Sequence, residues 1–330
     1  MPNYNELQKE AAQVGSNYDF IRRKYIRRLS RLTGRNVILY YSGWLQKGHL
    51  DPQGRYGFFE VNDSDKNAFM ACINKLDRKR GLDLVLHTPG GSTAATESLV
   101  QYLRSMFGTD MRAIVPQLSM SAGTMIACAC KEIIMGKHSS LGPIDPQIGG
   151  IPAHGIIEEF KRALKECTED NNAIPLWQPI IAKYHPALIG ECEKSIAWST
   201  EIASAWLASG MFNGDAAGPS KASKIVEELS DHALQKSHGR HISADDAAKL
   251  GLRVSRLEDD QSLQDAVLTV HHASIMTLMK TSAVKIVENH RGVAVIHAIQ
   301  PSVIAIPEGP SSSIKESESE PQPPVKPVPE

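Results

Sequence analysis

Short apolar runs alternate with segments of helical period between Asn36 and Lys137, and this alternation constrains the fold more than any other feature of the chain. Runs such as LDLVLH and MRAIV predict buried strands, and the segments between them have the spacing and caps of amphipathic helices. Such an alternation predicts an α/β fold with a mostly parallel sheet. Ligands bind such sheets beyond the carboxyl ends of the strands. The motifs TPGG and SMSAG, which follow two of the strands, are therefore expected at the functional site.

The chain divides into four predicted regions. Residues 1–35 are expected to form a basic helical arm, with one helix over 5–32, and residues 36–256 the main domain. Residues 257–300 are expected to form a long helix over 263–290 followed by the strand GVAVIHAI. Residues 301–330 are too rich in Pro, Ser and Glu to bury a core, so we expect a disordered tail.

The arm contains the segment FIRRKYIRRLSRL, in which six arginines and lysines alternate with apolar residues at helical spacing. Two interpretations stay open. The helix docks on anionic lipid or an acidic partner, which would give peripheral membrane contact, or it packs on a neighbouring subunit.

Overall charge and cysteine usage limit the classes of partner and compartment. Lys plus Arg number 36 against 37 for Asp plus Glu, a net charge of −1, so the chain as a whole does not predict nucleic-acid binding. The five cysteines follow no disulfide framework, and Cys128 and Cys130 lie in an apolar run, where we expect them to pack rather than bind metal. With neither a signal peptide nor a transmembrane run expected, the predicted location is cytoplasmic.

Three segments together resemble the Clp-fold serine peptidases. They are LDLVLHTPGGSTAATESL, SMSAGTMIACACKEIIMGKHSSLGPIDPQ and ISADDAAKLGL. The resemblance is closest to the serine dehydrogenase proteinases, extends to the Clp proteolytic subunit and signal peptide peptidase A, and spans residues 36–255. It implies a ClpP/crotonase-like fold of repeated ββα units with additional helices, and a homo-oligomeric serine endopeptidase acting on peptide or protein substrates. No GxGxxG motif follows a strand, so neither a nicotinamide nor any other cofactor is expected.

The resemblance also implies the nucleophile. In the family the nucleophilic serine opens the helix of a Ser-small-Gly segment, which Ser121-Ala122-Gly123 matches. A serine at a helix start can instead be a simple N-cap, and Ser119, two residues earlier, is a second candidate for the nucleophile.

The same comparison implies an oxyanion hole formed by the N–H groups of Gly91 and Ala122. The glycines of TPGG let the backbone approach a substrate closely, and a helix N-terminus stabilises a developing oxyanion. Gly90, Ser92 and Gly123 are expected to line the substrate groove, although a plain Pro-Gly-Gly turn is the alternative.

A serine hydroxyl needs a general base, and three lysines compete for that role. Lys183 is preferred, because its segment PLWQPIIAKYHPAL is apolar enough to lower the pKa of its ammonium group, and because Lys183-Tyr184 is similar to a Gly-Lys-Tyr segment of signal peptide peptidase A. Lys161 and Lys165 are expected on the solvated face of a helix.

A Ser-His-Asp triad is a lesser alternative for the base. Asp145 occupies the place at which the Clp subunit has its histidine, and His138 and His154 lie before and after it.

Two other function classes compete with a peptidase. A crotonase-type acyl-CoA enzyme shares the fold, but it usually employs carboxylates and needs no serine at this helix start. A catalytically silent oligomeric scaffold would have the same fold, but its degenerate active site would no longer catalyse a reaction.

Overall fold

The computed structural model describes residues 4–51, 57–230 and 239–299, and the predicted tail at 301–330 lies outside them. Apolar and β-branched runs form the strands. The strands are β1 (Asn36–Ser42), β2 (Leu82–His87), β3 (Met111–Val115), β4 (Leu118–Ser119), β5 (Glu132–Met135), β6 (Ser140–Leu141), β7 (Gln147–Ile148), β8 (Ile151–Pro152), β9 (Ile242–Ser243), β10 (Val254–Arg256), β11 (Ala283–Asn289) and β12 (Ala294–Ala298).

Helices connect these strands and cover the sheet. They are α1 (Tyr4–Gln13), α2 (Tyr18–Thr33), α3 (Trp44–Lys47), α4 (Ser64–Ile73), α5 (Thr93–Phe107), α6 (Ala122–Cys128), α7 (Ala153–Glu169), α8 (Ile174–Ile181), α9 (Leu188–Ser209), α10 (Gly218–Ser230), α11 (Ala244–Lys249) and α12 (Gln261–Lys280).

A seven-stranded sheet in the described part of the chain has the order β10-β5-β3-β2-β1-β11-β12. Neighbours from β10 to β1 pair in parallel, while β11 pairs antiparallel with both β1 and β12. The sheet is therefore mixed but mostly parallel, and the predicted α/β class is confirmed.

Alternate residues of each central strand bury opposite faces of this sheet. On β1, Ile38 and Tyr40 pack with residues of α4 and α5, whereas Val37 and Leu39 pack with α2 and α12. The sheet is thus covered on both faces, as expected for a buried parallel sheet. A smaller cluster joins α7 to α9.

The N-terminal segment is two helices rather than the single one predicted over 5–32. Gly15 and Ser16 adopt positive φ, and the Asn17 side chain caps α2 by accepting a hydrogen bond from Phe20 N–H at 2.9 Å. The apolar face of α2 packs on α12 of the same chain. That apolar face is therefore buried within its own chain, and contact of the arm with a neighbouring subunit stays a prediction.

The C-terminal segment differs from the predicted helix over 263–290. Helix α12 ends at Lys280, and residues from Ala283 onward form β11 instead. All seven residues of β11 are buried, because the strand inserts between β1 and β12. Long-range pairing in the sheet outweighs the local helical pattern here.

Candidate active site

Two loops meet at the carboxyl ends of β2 and β3. Thr88 N–H donates to Leu118 O at 3.1 Å, and Met120 N–H donates to Thr88 O at 3.0 Å. This pairing places the TPGG loop beside Ser121, at the edge of the sheet where the sequence predicts the functional site.

The Ser121 backbone has a rare conformation, with φ 50° and ψ −117°. A non-glycine residue rarely adopts positive φ, and this ψ also lies outside the left-handed helical region. The strain is typical of a nucleophilic serine on a sharp strand-to-helix turn. Ser121 stands at the N-cap position of α6, but its side chain makes no capping hydrogen bond. A simple capping role therefore does not explain this serine.

Gly90 lies against Ser121. A Cβ on Gly90 would come within 2.6 Å of the Ser121 Cβ and 2.8 Å of the Met120 carbonyl oxygen. Gly90 also has φ 102°, which side chains disfavour. Close approach to Ser121 therefore requires glycine at this position.

Gly91 is paired on one side with Val61, a residue that the sequence analysis did not identify. Val61 N–H donates to Gly90 O at 2.7 Å, and Ser92 N–H donates to Val61 O at 2.9 Å. In a parallel pairing of this kind, the N–H of the middle residue points away from the partner strand. The Gly91 N–H is thereby directed away from Val61.

Two backbone N–H groups at the site are available to donate hydrogen bonds to a ligand. Within the residues that the structure describes, neither Gly91 N–H nor Ala122 N–H donates a hydrogen bond. Ala122 is the first residue of α6, where helix amides lack intrahelical partners. Gly91, Ser121 and Ala122 all line one cavity, so the predicted oxyanion-hole donors and nucleophile share a site.

The cavity has a volume of about 590 Å³. Within the described residues, its walls come from five parts of the chain. These are Glu60; the loop and helix start 89–93; the start of α6 with Ser121, Ala122 and Met125; the segment 144–150; and Ser195 and Trp198 of α9. Gly90 and Ser92 line it as predicted, but Gly123 is absent from its walls. A Cβ on Gly123 would contact Thr88 and Ser119 instead, so this glycine serves packing below the site.

Ser119 is placed differently from Ser121. Its side chain is fully buried and is not among the residues that line the cavity, whereas Ser121 is only half-buried and lines it. The reserve candidate for the nucleophile therefore lacks access to substrate.

The three lysines predicted as candidate bases lie outside the cavity walls. Lys161 and Lys165 are exposed on α7, and Lys183 is exposed just after α8. The desolvation expected around Lys183 is therefore absent in the single chain. Among the described residues, the Ser121 hydroxyl has no hydrogen-bond partner.

Among the residues that the structure describes, the ionisable side chains that line the cavity are two carboxylates. Asp145 is buried and Glu60 is exposed. His138 and His154 do not line it, and a Ser-His-Asp arrangement is not assembled there. In the described ranges, no three His, Cys, Asp or Glu side chains are grouped as metal ligands would be. No helix described by the structure combines the length and apolar character needed to cross a bilayer.

Comparison with known proteins places this site in a family. A family model described as ClpP-like SDH-type serine proteinase matches residues 12–184. That match includes the TPGG loop, Ser121 and Lys183.

Two curated relatives come from Methanocaldococcus jannaschii. The uncharacterized protein MJ0137 is 34% identical over 119 residues, which are 36% of this chain and 41% of that protein. The uncharacterized protein MJ1495 is 35% identical over 115 residues, which are 35% of this chain and 38% of that protein. The chain thus matches well under half the length of each relative. Because the family model covers more than half of the chain, and the site it contains has a strained serine beside two available amides, the protein belongs to the family of ClpP-like SDH-type serine proteinases.

Proposed function

We propose that the protein is a serine endopeptidase in which Ser121 is the nucleophile and the N–H groups of Gly91 and Ala122 form the oxyanion hole. The observation that carries the proposal is the strained Ser121, which faces a large cavity beside two amides without acceptors. Strain of this kind costs stability and persists where it serves a function.

The proposed reaction is acyl transfer in two halves. The Ser121 Oγ attacks the peptide carbonyl carbon and loses its proton to a base, while the two amides stabilise the oxyanion. The base then gives that proton to the amine, which leaves as the C–N bond breaks. Water deacylates the serine by the same steps, and the second product leaves as a carboxylic acid.

We propose a lysine as that base, with Lys183 preferred over Lys161 and Lys165. All three are exposed on the segment that runs from α7 to α9, residues 153–209. The same segment contains Ser195 and Trp198, which line the cavity. A lysine must come within about 3 Å of the Ser121 Oγ to act, so the proposal requires this region to move on substrate binding or assembly.

Assembly as a homo-oligomer is part of the proposal. Large apolar side chains stay exposed on α7 and α8, including Leu164 and Leu176, at 72% and 71%. Exposed apolar groups of this size are typical of surfaces that pack on another protein. We also propose a cytoplasmic location, which the five unpaired cysteines support.

Labelling with a fluorophosphonate probe, followed by peptide mass spectrometry, tests the nucleophile and the base together. We expect an adduct on Ser121 in the wild type and none in Ser121→Ala. Lys183→Ala should lose the adduct, whereas Lys161→Ala and Lys165→Ala serve as matched controls and should keep it.

Other outcomes discriminate between the alternatives. An adduct that survives in Lys183→Ala but not in one of the other two lysine variants would move the base to that residue. If the wild-type protein folds but forms no adduct and cleaves no peptide, the proposal is wrong and a catalytically silent scaffold is favoured.

A further inference from the structure

A second cavity lies at the opposite edge of the sheet from Ser121. It has a volume of about 330 Å³ and is lined by Arg27, Ser30, Arg31, Arg80, His290 and Arg291. Arg80 precedes β2, and the α2 residues precede β1, so this cavity is at the amino ends of the parallel strands. His290 follows β11, whose antiparallel course brings its end to the same edge.

The four arginines of this cavity lack acidic partners. Within the described residues, none of them forms an ion pair, and no carboxylate lines the cavity. Neighbouring arginines behave differently. Arg22 pairs with Glu288 at 2.5 Å, and Arg35 pairs with Asp83 at 2.7 Å. Like charges that converge without a counter-charge repel one another, and a bound anion would remove that repulsion.

Hydrogen bonds to backbone carbonyls fix two of these guanidinium groups. Arg80 Nε donates to Gly34 O at 2.8 Å, and Arg291 Nη1 donates to Lys75 O at 2.6 Å. Each guanidinium has five N–H donors, so donors remain for a ligand. Because the groups are held before any ligand arrives, binding costs less side-chain entropy.

His290 adds a neutral donor to the same cavity. Its Nδ1 accepts a hydrogen bond from Val37 N–H at 3.3 Å, which leaves the ring proton on Nε2. Burial and the nearby charges of Arg80, Arg291 and Arg27 lower the pKa of this imidazole. The ring therefore stays neutral near pH 7 and donates without adding a fifth positive charge.

We propose that this cavity binds an anion that carries a phosphate group. Guanidinium forks match phosphate oxygens in bidentate geometry, and several arginines around one cavity favour a multiply charged ligand over a single carboxylate. The volume exceeds that of one phosphate ion, so a phosphate ester or diphosphate fits. The phosphate belongs to a soluble compound or to a lipid headgroup, and the two sources are distinguished by experiment.

Titration calorimetry of the full chain with pyrophosphate tests the soluble source. We expect saturable binding that weakens as salt is raised. The variant Arg27→Gln/Arg31→Gln should bind about tenfold or more weakly, because it removes two charged donors from the cavity.

The matched control is Arg28→Gln/Arg78→Gln. Both residues are exposed near the cavity without lining it, so this variant removes the same charge from the same region. It should bind pyrophosphate as the wild type does. Equal weakening in the two variants would show diffuse surface attraction and overturn the proposal.

Co-sedimentation with phosphatidylcholine vesicles that contain phosphatidic acid tests the lipid source. Binding to these vesicles, lost in the cavity variant and kept in the control, with no saturable pyrophosphate binding, would identify a lipid headgroup as the ligand. Pyrophosphate binding without vesicle binding would identify a soluble phosphate compound. Absence of binding in both experiments would overturn the proposal. Probe labelling of Ser121 checks that each variant is folded.

Discussion

Gly90 is the residue whose substitution should affect the proposed nucleophile, Ser121, most directly. In Gly90→Ala the new methyl group would meet the Ser121 Cβ at 2.6 Å, so the nucleophile must shift. A misplacement of about 1 Å in a reacting group can cost about 100-fold in rate. We expect the rate of fluorophosphonate labelling at Ser121 to fall by that factor.

Gly190→Ala is the control for this substitution. Gly190 lies within α9, and a Cβ added there would meet no atom within 4 Å among the described residues. The labelling rate of this variant should match the wild type, and alanine should favour the helix by up to about 1 kcal/mol. Undiminished labelling in Gly90→Ala would contradict the close approach of the two loops.

The small residues at 90–91 and 121–122 line the cavity at the loop and helix start where the sequence placed the site. Their roles in catalysis stay predictions. Val61 was not predicted from the sequence. It pairs with the TPGG loop through backbone hydrogen bonds, which do not depend on the type of side chain. The identity of the general base stays a prediction, because the approach of a lysine to Ser121 depends on the position of the segment from α7 to α9.

At the scale of elements, a buried charge pair fixes the segment that holds the TPGG loop. On β11, the Lys285 Nζ donates to Glu60 O at 2.6 Å and to Asp65 at 3.0 Å. Asp65 also accepts from Tyr40 OH at 2.8 Å. These bonds anchor the chain on both sides of Val61, so β11 supports the pairing with Gly91.

Breaking this pair should be costly. Lys285→Met leaves the Asp65 carboxylate buried without its cation, which typically destabilises a protein by about 3–5 kcal/mol. Lys285→Met/Asp65→Leu removes both charges and should recover much of that loss. Urea unfolding of the two single variants and the double variant measures the coupling. Strictly additive losses would show that the two charges do not interact.

Element-level prediction was most accurate for the strands of the parallel sheet. Runs such as LDLVLH are buried on both faces, so their apolar character identifies them directly. Strand β11 was predicted as helix, because Lys285 and Glu288 interrupt its apolar pattern. Both charges are neutralised by distant partners, which a local pattern does not reveal.

At the scale of the whole molecule, buried histidines make stability depend on pH. His87 is fully buried among Trp44, Tyr41 and His271, and neither ring nitrogen has a partner among the described residues. Burial lowers the pKa of His87 from 6.5 to about 3. The unfolded chain therefore takes up a proton at a higher pH than the folded protein does.

The stability contributed by neutral His87 is complete above pH 6.5 and is lost as the pH falls toward 3. At pH 5 the loss is about 2 kcal/mol. We expect His87→Phe to reduce the fall in unfolding free energy between pH 7.5 and pH 5 by that amount, measured by urea unfolding. The control His241→Phe removes an exposed imidazole and should leave the difference unchanged. An identical fall in His87→Phe and wild type would contradict this account.

The backbone conformation of Ser121 links its proposed catalytic role to a cost in thermal stability. Backbone strain of this kind costs the folded state about 1–3 kcal/mol, and glycine relieves it at a smaller entropic cost. Ser121→Gly should therefore melt at a higher temperature than Ser121→Ala, although both variants lack the proposed nucleophile. For trapping an intact substrate in the cavity, the glycine variant is then the more robust choice of inactive enzyme.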